Sequence, residues 1–284
     1  MLIANDLINR RNALKFAAVA AASTIGYGPG VNDQQSLSTS EANDTSQAKK
    51  DSETEDSPKQ EILMLVYPKF TALDLIGPQH VFALLGPEYK TRLIWKEKTE
   101  VISDTGIPVR PTQSFAECSR SPAILFVPGG TDGTLKAMED IEVREFIAST
   151  GKKAAYVTSV CTGALILGAA GLLDGYQATS HWLALQTHKH FGANPVSKRV
   201  VVDRNRITGG GVTAGIDFAL TLTAMLKDES YAKTVQLMME YDPQPPYESG
   251  TPSLADEKSV ALVNAMAKPF LKKVEAAAKR LSSQ

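Results

Sequence analysis

Apolar and polar positions along this chain follow two rhythms. Residues 62–66 (Ile-Leu-Met-Leu-Val) and 123–127 (Ala-Ile-Leu-Phe-Val) are unbroken apolar runs that end in Tyr67-Pro68 and Pro128-Gly129-Gly130. Runs of this length, closed by turn residues, predict strands of a parallel sheet buried on both faces. A third apolar, β-prone stretch covers 154–158. Charges alternate with Leu93-Ile94-Trp95, and Thr105-Gly106-Ile107-Pro108 is turn chemistry, so 89–109 reads as one or two strands. A short strand is expected at 177–180 and a hairpin at 199–208, turning at Arg204-Asn205. Helices are expected at 79–85, 134–138, 141–149, 163–170, 181–190, from the Gly209–Gly215 stretch through Asp217 to Leu226, and at 231–241. The last, 253–281, carries Val260, Val263, Ala267, Leu271, Val274, Ala278 and Leu281 at helical spacing, which predicts a face packed on the sheet and a kink at Pro269.

Two N-terminal stretches break this rhythm. Asn9-Arg10-Arg11-Asn12-Ala13-Leu14-Lys15 resembles a twin-arginine motif, and Phe16 to Ala22 is a short apolar run ending in small residues. In that order the features predict an export signal over 1–30, leading to the periplasm or cell envelope, or a cytoplasmic protein if the signal is not used. The run is shorter than the roughly 20 residues a membrane-spanning helix needs, so no integral span is expected. Residues 31–60 are polar and nearly free of large apolar groups, and read as a disordered linker. The folded domain is therefore expected over 61–284.

Candidate chemistry concentrates at Ser159-Val160-Cys161-Thr162-Gly163. A strand precedes it and a helix follows, so the S-x-C-x-G spacing reproduces a nucleophile elbow with a thiol in place of the hydroxyl. A helix N-terminus is expected to lower the Cys161 pKa. Asp74 sits in an apolar stretch just past the first strand. That is the carboxyl edge of an open parallel sheet, where ligands bind, and the same position suits a helix cap. The glycines after Val127 allow close backbone approach. His181, just past a short strand, could approach the site, although a structural histidine is the default. His188 and His190 lie two apart and point to different helix faces, so no metal is expected. Gly209-x-Gly211-x-x-Ala214 formally matches a dinucleotide fingerprint, but no strand ending in an acid follows about 20 residues on.

Composition adds bounds. The chain has 284 residues and a net charge of −1, so nothing argues for nucleic acid as a partner. Two cysteines, Cys118 and Cys161, make neither a disulfide scaffold nor a four-ligand zinc site. Cys118, in a loop before a strand, reads as incidental.

Five segments together resemble the ThiJ/PfpI superfamily, and within it the isonitrile hydratase branch. They are Leu73-Asp74-Leu75-Ile76-Gly77-Pro78, Val127-Pro128-Gly129-Gly130, Ser159-Val160-Cys161-Thr162-Gly163-Ala164, Ala178-Thr179-Ser180-His181-Trp182 and Glu240-Tyr241-Asp242-Pro243-Gln244-Pro245-Pro246. Thr162 after the cysteine, where peptidase-like members carry His, and Asp where many relatives carry Glu, point to that branch. The resemblance implies a flavodoxin-like α/β sandwich of the class I glutamine amidotransferase-like type, usually a homodimer. It implies Cys161 as nucleophile, Asp74 hydrogen-bonding near it, Thr162 as a further site residue, and a backbone N–H from Gly129 or Gly130 completing an oxyanion pocket. The implied reaction hydrates an isonitrile, a small molecule, to a formamide through a Cys161 thioimidate, without metal or organic cofactor. Glyoxalase- or deglycase-like action on reactive carbonyls stays open, as does a ligand- or oxidant-sensing module related to AraC-type regulators.

Overall fold

The computed structural model describes residues 60–282. The expected signal, and the expected linker up to Lys59, lie outside the described residues. Residues 60–85 and 89–282 belong to one compact unit, built on a seven-stranded sheet.

The apolar runs become its centre. Strand β1 (Gln60–Leu65) pairs in parallel with β2 (Tyr89–Trp95) on one side. Val101–Ile102 (β3) and Pro108–Val109 (β4) form a small antiparallel hairpin outside the main sheet, so the 89–109 stretch divides into three strands. The two-residue β5 (Gln113–Ser114) closes one edge beside β2. On the other side of β1 come β6 (Ile124–Val127) and then β7 (Tyr156–Val160), both parallel. Gln177–Ala178 (β8) and Asn194–Pro195 (β9) pair separately. Strands β10 (Val200–Asp203) and β11 (Arg206–Gly209) are the expected hairpin, with Arg204 in the left-handed region at φ 55°. The sheet order is β10-β11-β7-β6-β1-β2-β5, and β10 alone runs antiparallel. Ile62 to Leu65 and Ile124 to Val127 are fully buried, as strands covered on both faces require.

Among the described residues there are seven α-helices: α1 (Ala72–Ala83), α2 (Asp132–Glu139), α3 (Ile141–Gly151), α4 (Gly163–Ala169), α5 (Ala214–Leu226), α6 (Glu229–Met238) and α7 (Glu257–Leu281). They segregate into two sets. Helix α1 packs on α5, which packs on α6, while α2 packs on α3, α4 and α7. This gives the flavodoxin-like sandwich expected from the sequence. None of the helices among the described residues is long and apolar enough to cross a membrane.

Two helical expectations change. Residues 181–190 do not form one α-helix: turns lead into a 3-10 segment, Leu185–Phe191, stopped by Gly192 at φ 70°. Thr187, His188 and His190 are poor helix formers, and packing against α4, α7 and β9 sets the local conformation. Helix α7 rests on α2 and the 3-10 segment, forming an outer cover instead of packing on the sheet. Its buried residues, Val274, Ala277 and Ala278, all lie in the C-terminal half, while Leu262 and Met266 are exposed.

Candidate active site

Because β1 lies between β2 and β6, successive crossovers leave it in opposite directions. The crevice at the carboxyl ends of β1 and β6 is thus a topological switch point, where open α/β sheets bind ligands. Asp74 follows β1, Gly129 and Gly130 follow β6, and Cys161 follows β7 next door.

Cys161 turns the chain between β7 and α4 at φ 56°, a strained conformation for a residue with a side chain. The turn is held from outside. The Cys161 N–H bonds the carbonyls of Gly209 (3.1 Å) and Gly210 (2.7 Å), and Ser180 Oγ donates to the Cys161 carbonyl at 2.8 Å. Gly163 allows the sharp entry into α4, since a Cβ there would stand 2.2 Å from the Val127 carbonyl oxygen.

Asp74 lies in the first turn of α1 yet caps nothing. That task falls to Asp104, between β3 and β4, whose Oδ2 accepts from Thr71 Oγ1 (2.8 Å) and Oδ1 from the Ala72 N–H (3.3 Å). Asp74 is thereby free to point inward, fully buried, where its Oδ2 accepts the Gly129 N–H at 2.9 Å. The glycine turn is stitched to the same crossover by the Thr71 N–H on the Gly129 carbonyl (2.8 Å) and a bridge between Phe70 and Gly130. Of the two readings open for Asp74, the geometry supports the site carboxylate.

The electrostatics couple Asp74 to Cys161. Burial raises the Asp74 carboxyl to about 7, against the pull of hydrogen bonds from Gly129 and the Cys161 side chain. Its Oδ1 is buried without a hydrogen-bond partner. Burial also raises the Cys161 thiol well above its ordinary value, and the Asp74 charge adds to the rise. Hydrogen bonds from Thr162 oppose it without prevailing. The expectation of a thiol acidified by a helix start is therefore corrected: α4 is seven residues long, and desolvation outweighs its dipole. The pair thus rests with its proton on the sulfur, beside a carboxyl whose proton affinity burial has raised.

The oxyanion expectation for Gly129 and Gly130 also changes. The Gly129 N–H is committed to Asp74, and the Gly130 N–H to Thr162 Oγ1 at 3.0 Å. Both hold side chains in place and neither points free into the site. On the sulfur's side the groups that oppose the rise of the thiol are the Thr162 backbone N–H and hydroxyl, the hydroxyl resting on the Gly130 carbonyl at 2.5 Å.

A cavity of about 350 Å3 opens next to the Cys161 turn, lined among others by Ser180, His181, Trp182, Leu185, Gly211 and Val212. His181 accepts the Leu183 N–H on Nδ1 (3.4 Å), so its Nε2 carries the proton; burial lowers its pKa and keeps it neutral. His188 and His190 lie apart from this cavity's lining. His188 is fully buried without a hydrogen-bond partner, and His190 pairs with Glu275. No group of three or more His, Cys, Asp or Glu arranged for a metal occurs among the described residues. Cys118 is half-buried, donates to the Ser114 carbonyl (3.1 Å), and is pushed up to about 12, an unreactive thiol.

Sequence reading missed Asp104, and also a clamp near the cavity. There Asp217 Oδ2 accepts from Arg199 Nε (2.7 Å) and Tyr241 Oη (2.9 Å), tying the proline-rich segment after α6 to the start of α5.

Fold and site together define a doubly wound α/β protein with a buried thiol–carboxyl pair at the carboxyl edge of its sheet. The DJ-1/PfpI family model matches residues 60–225, and the chain belongs to that family. It is 47% identical over 212 residues to the isonitrile hydratase of Pseudomonas putida, covering 75% of this chain and 92% of that one. A crystal structure of a ThiJ/PfpI family protein from Pseudomonas syringae is 48% identical and superposes with a TM-score of 0.76, over 78% of this chain and 90% of that one. The HTH-type transcriptional regulator GbdR of Pseudomonas aeruginosa is 28% identical over 158 residues, 54% of this chain and 42% of the regulator.

Proposed function

We propose that this protein adds water to an isonitrile, giving an N-substituted formamide through a thioimidate on Cys161. The observation that carries the reading is the buried Cys161–Asp74 pair, in a chain that matches nearly the full length of an isonitrile hydratase. Addition needs sulfur as nucleophile and a proton for the substrate, and a carboxyl at about 7 can take up and deliver that proton at neutral pH.

In the first step the Cys161 thiol passes its proton to the Asp74 carboxylate, the sulfur attacks the isonitrile carbon as thiolate, and Asp74 delivers that same proton to the carbon. The product is Cys161–S–CH=N–R and an Asp74 carboxylate. The carboxylate then takes a proton from water as the hydroxide adds to the same carbon, and passes that proton to nitrogen. Collapse of the adduct breaks the C–S bond, releases R–NH–CHO, and returns the hydroxyl proton through Asp74 to the sulfur. Thr162 donates to the sulfur when it carries charge, at the start and at the end. The cavity beside the turn would take the N-substituent, with Trp182, Leu185 and Val212 as its apolar wall.

An assay for formamide on an alkyl isonitrile tests this, using the native protein, Cys161→Ala and Asp74→Ala. Native turnover with both variants at least about 100-fold slower is expected. Full activity in Cys161→Ala, or no native turnover, defeats the reading. Stable oxidation of Cys161 to a sulfinate without turnover would favour the sensing role suggested by the regulator likeness.

The same proposal includes export through residues 1–30 and a homodimer. Cell fractionation with Arg10→Lys/Arg11→Lys, and a solution mass twice that of the chain, are the corresponding checks.

A further inference from the structure

Behind the Cys161 turn lies a buried chain of hydroxyls, of which the reaction steps above use only the one on Thr162. Tyr67, Thr134 and Thr162 come from the end of β1, from α2, and from the start of α4, and all three are buried. Tyr67 Oη donates to the Pro128 carbonyl (2.9 Å) and touches Thr134 Oγ1 (3.0 Å). Thr134 Oγ1 donates to the Gly130 carbonyl at 2.6 Å and lies 2.9 Å from Thr162 Oγ1. Thr162 Oγ1 donates to that same carbonyl at 2.5 Å and accepts the Gly130 N–H at 3.0 Å.

A hydroxyl has one proton, and here the protons are fewer than the contacts. The Tyr67 proton goes to Pro128, so Tyr67 offers Thr134 a lone pair only. The Gly130 carbonyl meanwhile faces two donors. If Thr162 alone served it, turning the Thr162 proton toward sulfur would leave a buried carbonyl unpaired, which is unfavourable. With Thr134 on the same oxygen, the turn leaves nothing unpaired. The Gly130 N–H keeps the Thr162 oxygen in place while its proton moves.

We propose that Thr134 is a positioning residue: by holding the Gly130 carbonyl it frees the Thr162 hydroxyl proton to donate to the Cys161 sulfur as a thiolate forms. The proposal rests on Cys161 as the reacting group, but it concerns the thiol's acidity and is tested without any isonitrile. Failure of the hydration reading would therefore leave a separate result.

The test is the pH dependence of iodoacetamide alkylation of Cys161, followed by peptide mass mapping on the full chain. In Thr134→Val the alkylation midpoint moves up by about one pH unit, equal to a tenfold loss of thiolate at a fixed pH below it. Thr134→Ser restores the native midpoint. Tyr67→Phe, which does not touch the Gly130 carbonyl, leaves it within a few tenths of a unit. In a Thr162→Val background, replacing Thr134 adds no further shift, because the proton it frees is gone. Thr134→Val with native circular dichroism and an unmoved midpoint overturns the proposal, and so do additive shifts in the double variant. Should Thr134→Val not fold, Thr134→Ala is read by the same criteria.

Discussion

Asp74 owes its burial to what it does not do. Placed three residues after Thr71, it has the position of a capping acid, and Asp104 takes that work from across the hairpin. The carboxylate is then buried against Gly129 and Cys161, and burial sets its proton affinity. Gly129 is the residue on which this depends most. A Cβ there would stand 2.6 Å from Asp74 Oδ2, 2.7 Å from the Thr162 N and 2.8 Å from the Cys161 Cβ. Gly129→Ala must push apart the carboxyl, the thiol and the turn at once. It is expected to cost about 1–3 kcal/mol of stability and to lower formamide turnover more than 100-fold. Urea melts and initial rates on the same preparation check both. A variant with full turnover would show that the close approach is not needed.

At the scale of elements, strands were legible in the sequence where both faces are buried. The runs at Ile62 and Ile124 needed no knowledge of their neighbours, and the turn at Cys161 was marked by small residues on both sides. Less legible were contacts between distant segments. Asp104 stands 33 residues from Thr71 and Tyr67 stands 67 from Thr134, and no local pattern joins them. The segment after His181 failed for a related reason, since its 3-10 form follows from what packs on it. The cap on α1 is testable. Asp104→Ala removes both bonds to the helix start and should cost about 1 kcal/mol. It also frees α1 to recruit Asp74 as its own cap. A fall in turnover larger than the stability loss explains, with the fold retained, is the expected outcome in parallel melts and rate assays. Unchanged turnover would mean that Asp74 is held by the site alone.

Over the whole molecule, two buried groups carry opposite pH signatures. Asp74 binds a proton more tightly folded (about 7) than unfolded (about 3.8), so its contribution favours the fold at low pH and falls away as pH rises from 3.8 to 7. His188 does the reverse: held at about 4 against 6.5 by burial, it weakens the fold as pH drops from 6.5 to 4. Each slope is about 1.4 kcal/mol per pH unit, and between 4 and 6.5 they cancel. Asp74→Asn should uncover the His188 slope, losing about 3 kcal/mol from pH 6.5 to 4 while the native protein stays nearly level by comparison. Urea melts at several pH values give the difference; parallel curves would contradict the buried-carboxyl assignment. The mostly parallel sheet and the family were thus within reach of the sequence. The direction of the Cys161 shift and the use of the Gly129 and Gly130 N–H groups were not, because both depend on burial and on partners from other crossovers.

The central claim is that carbon–sulfur bond formation at Cys161 precedes formamide release. Rapid-quench intact-mass spectrometry during turnover of an alkyl isonitrile tests it most directly, with peptide mapping to locate any adduct. The account predicts a transient increase equal to the mass of the isonitrile, confined to the peptide carrying Cys161, rising before formamide and absent in Cys161→Ala. Steady formamide production with no adduct at any quench time, or an adduct placed on another residue, would contradict it.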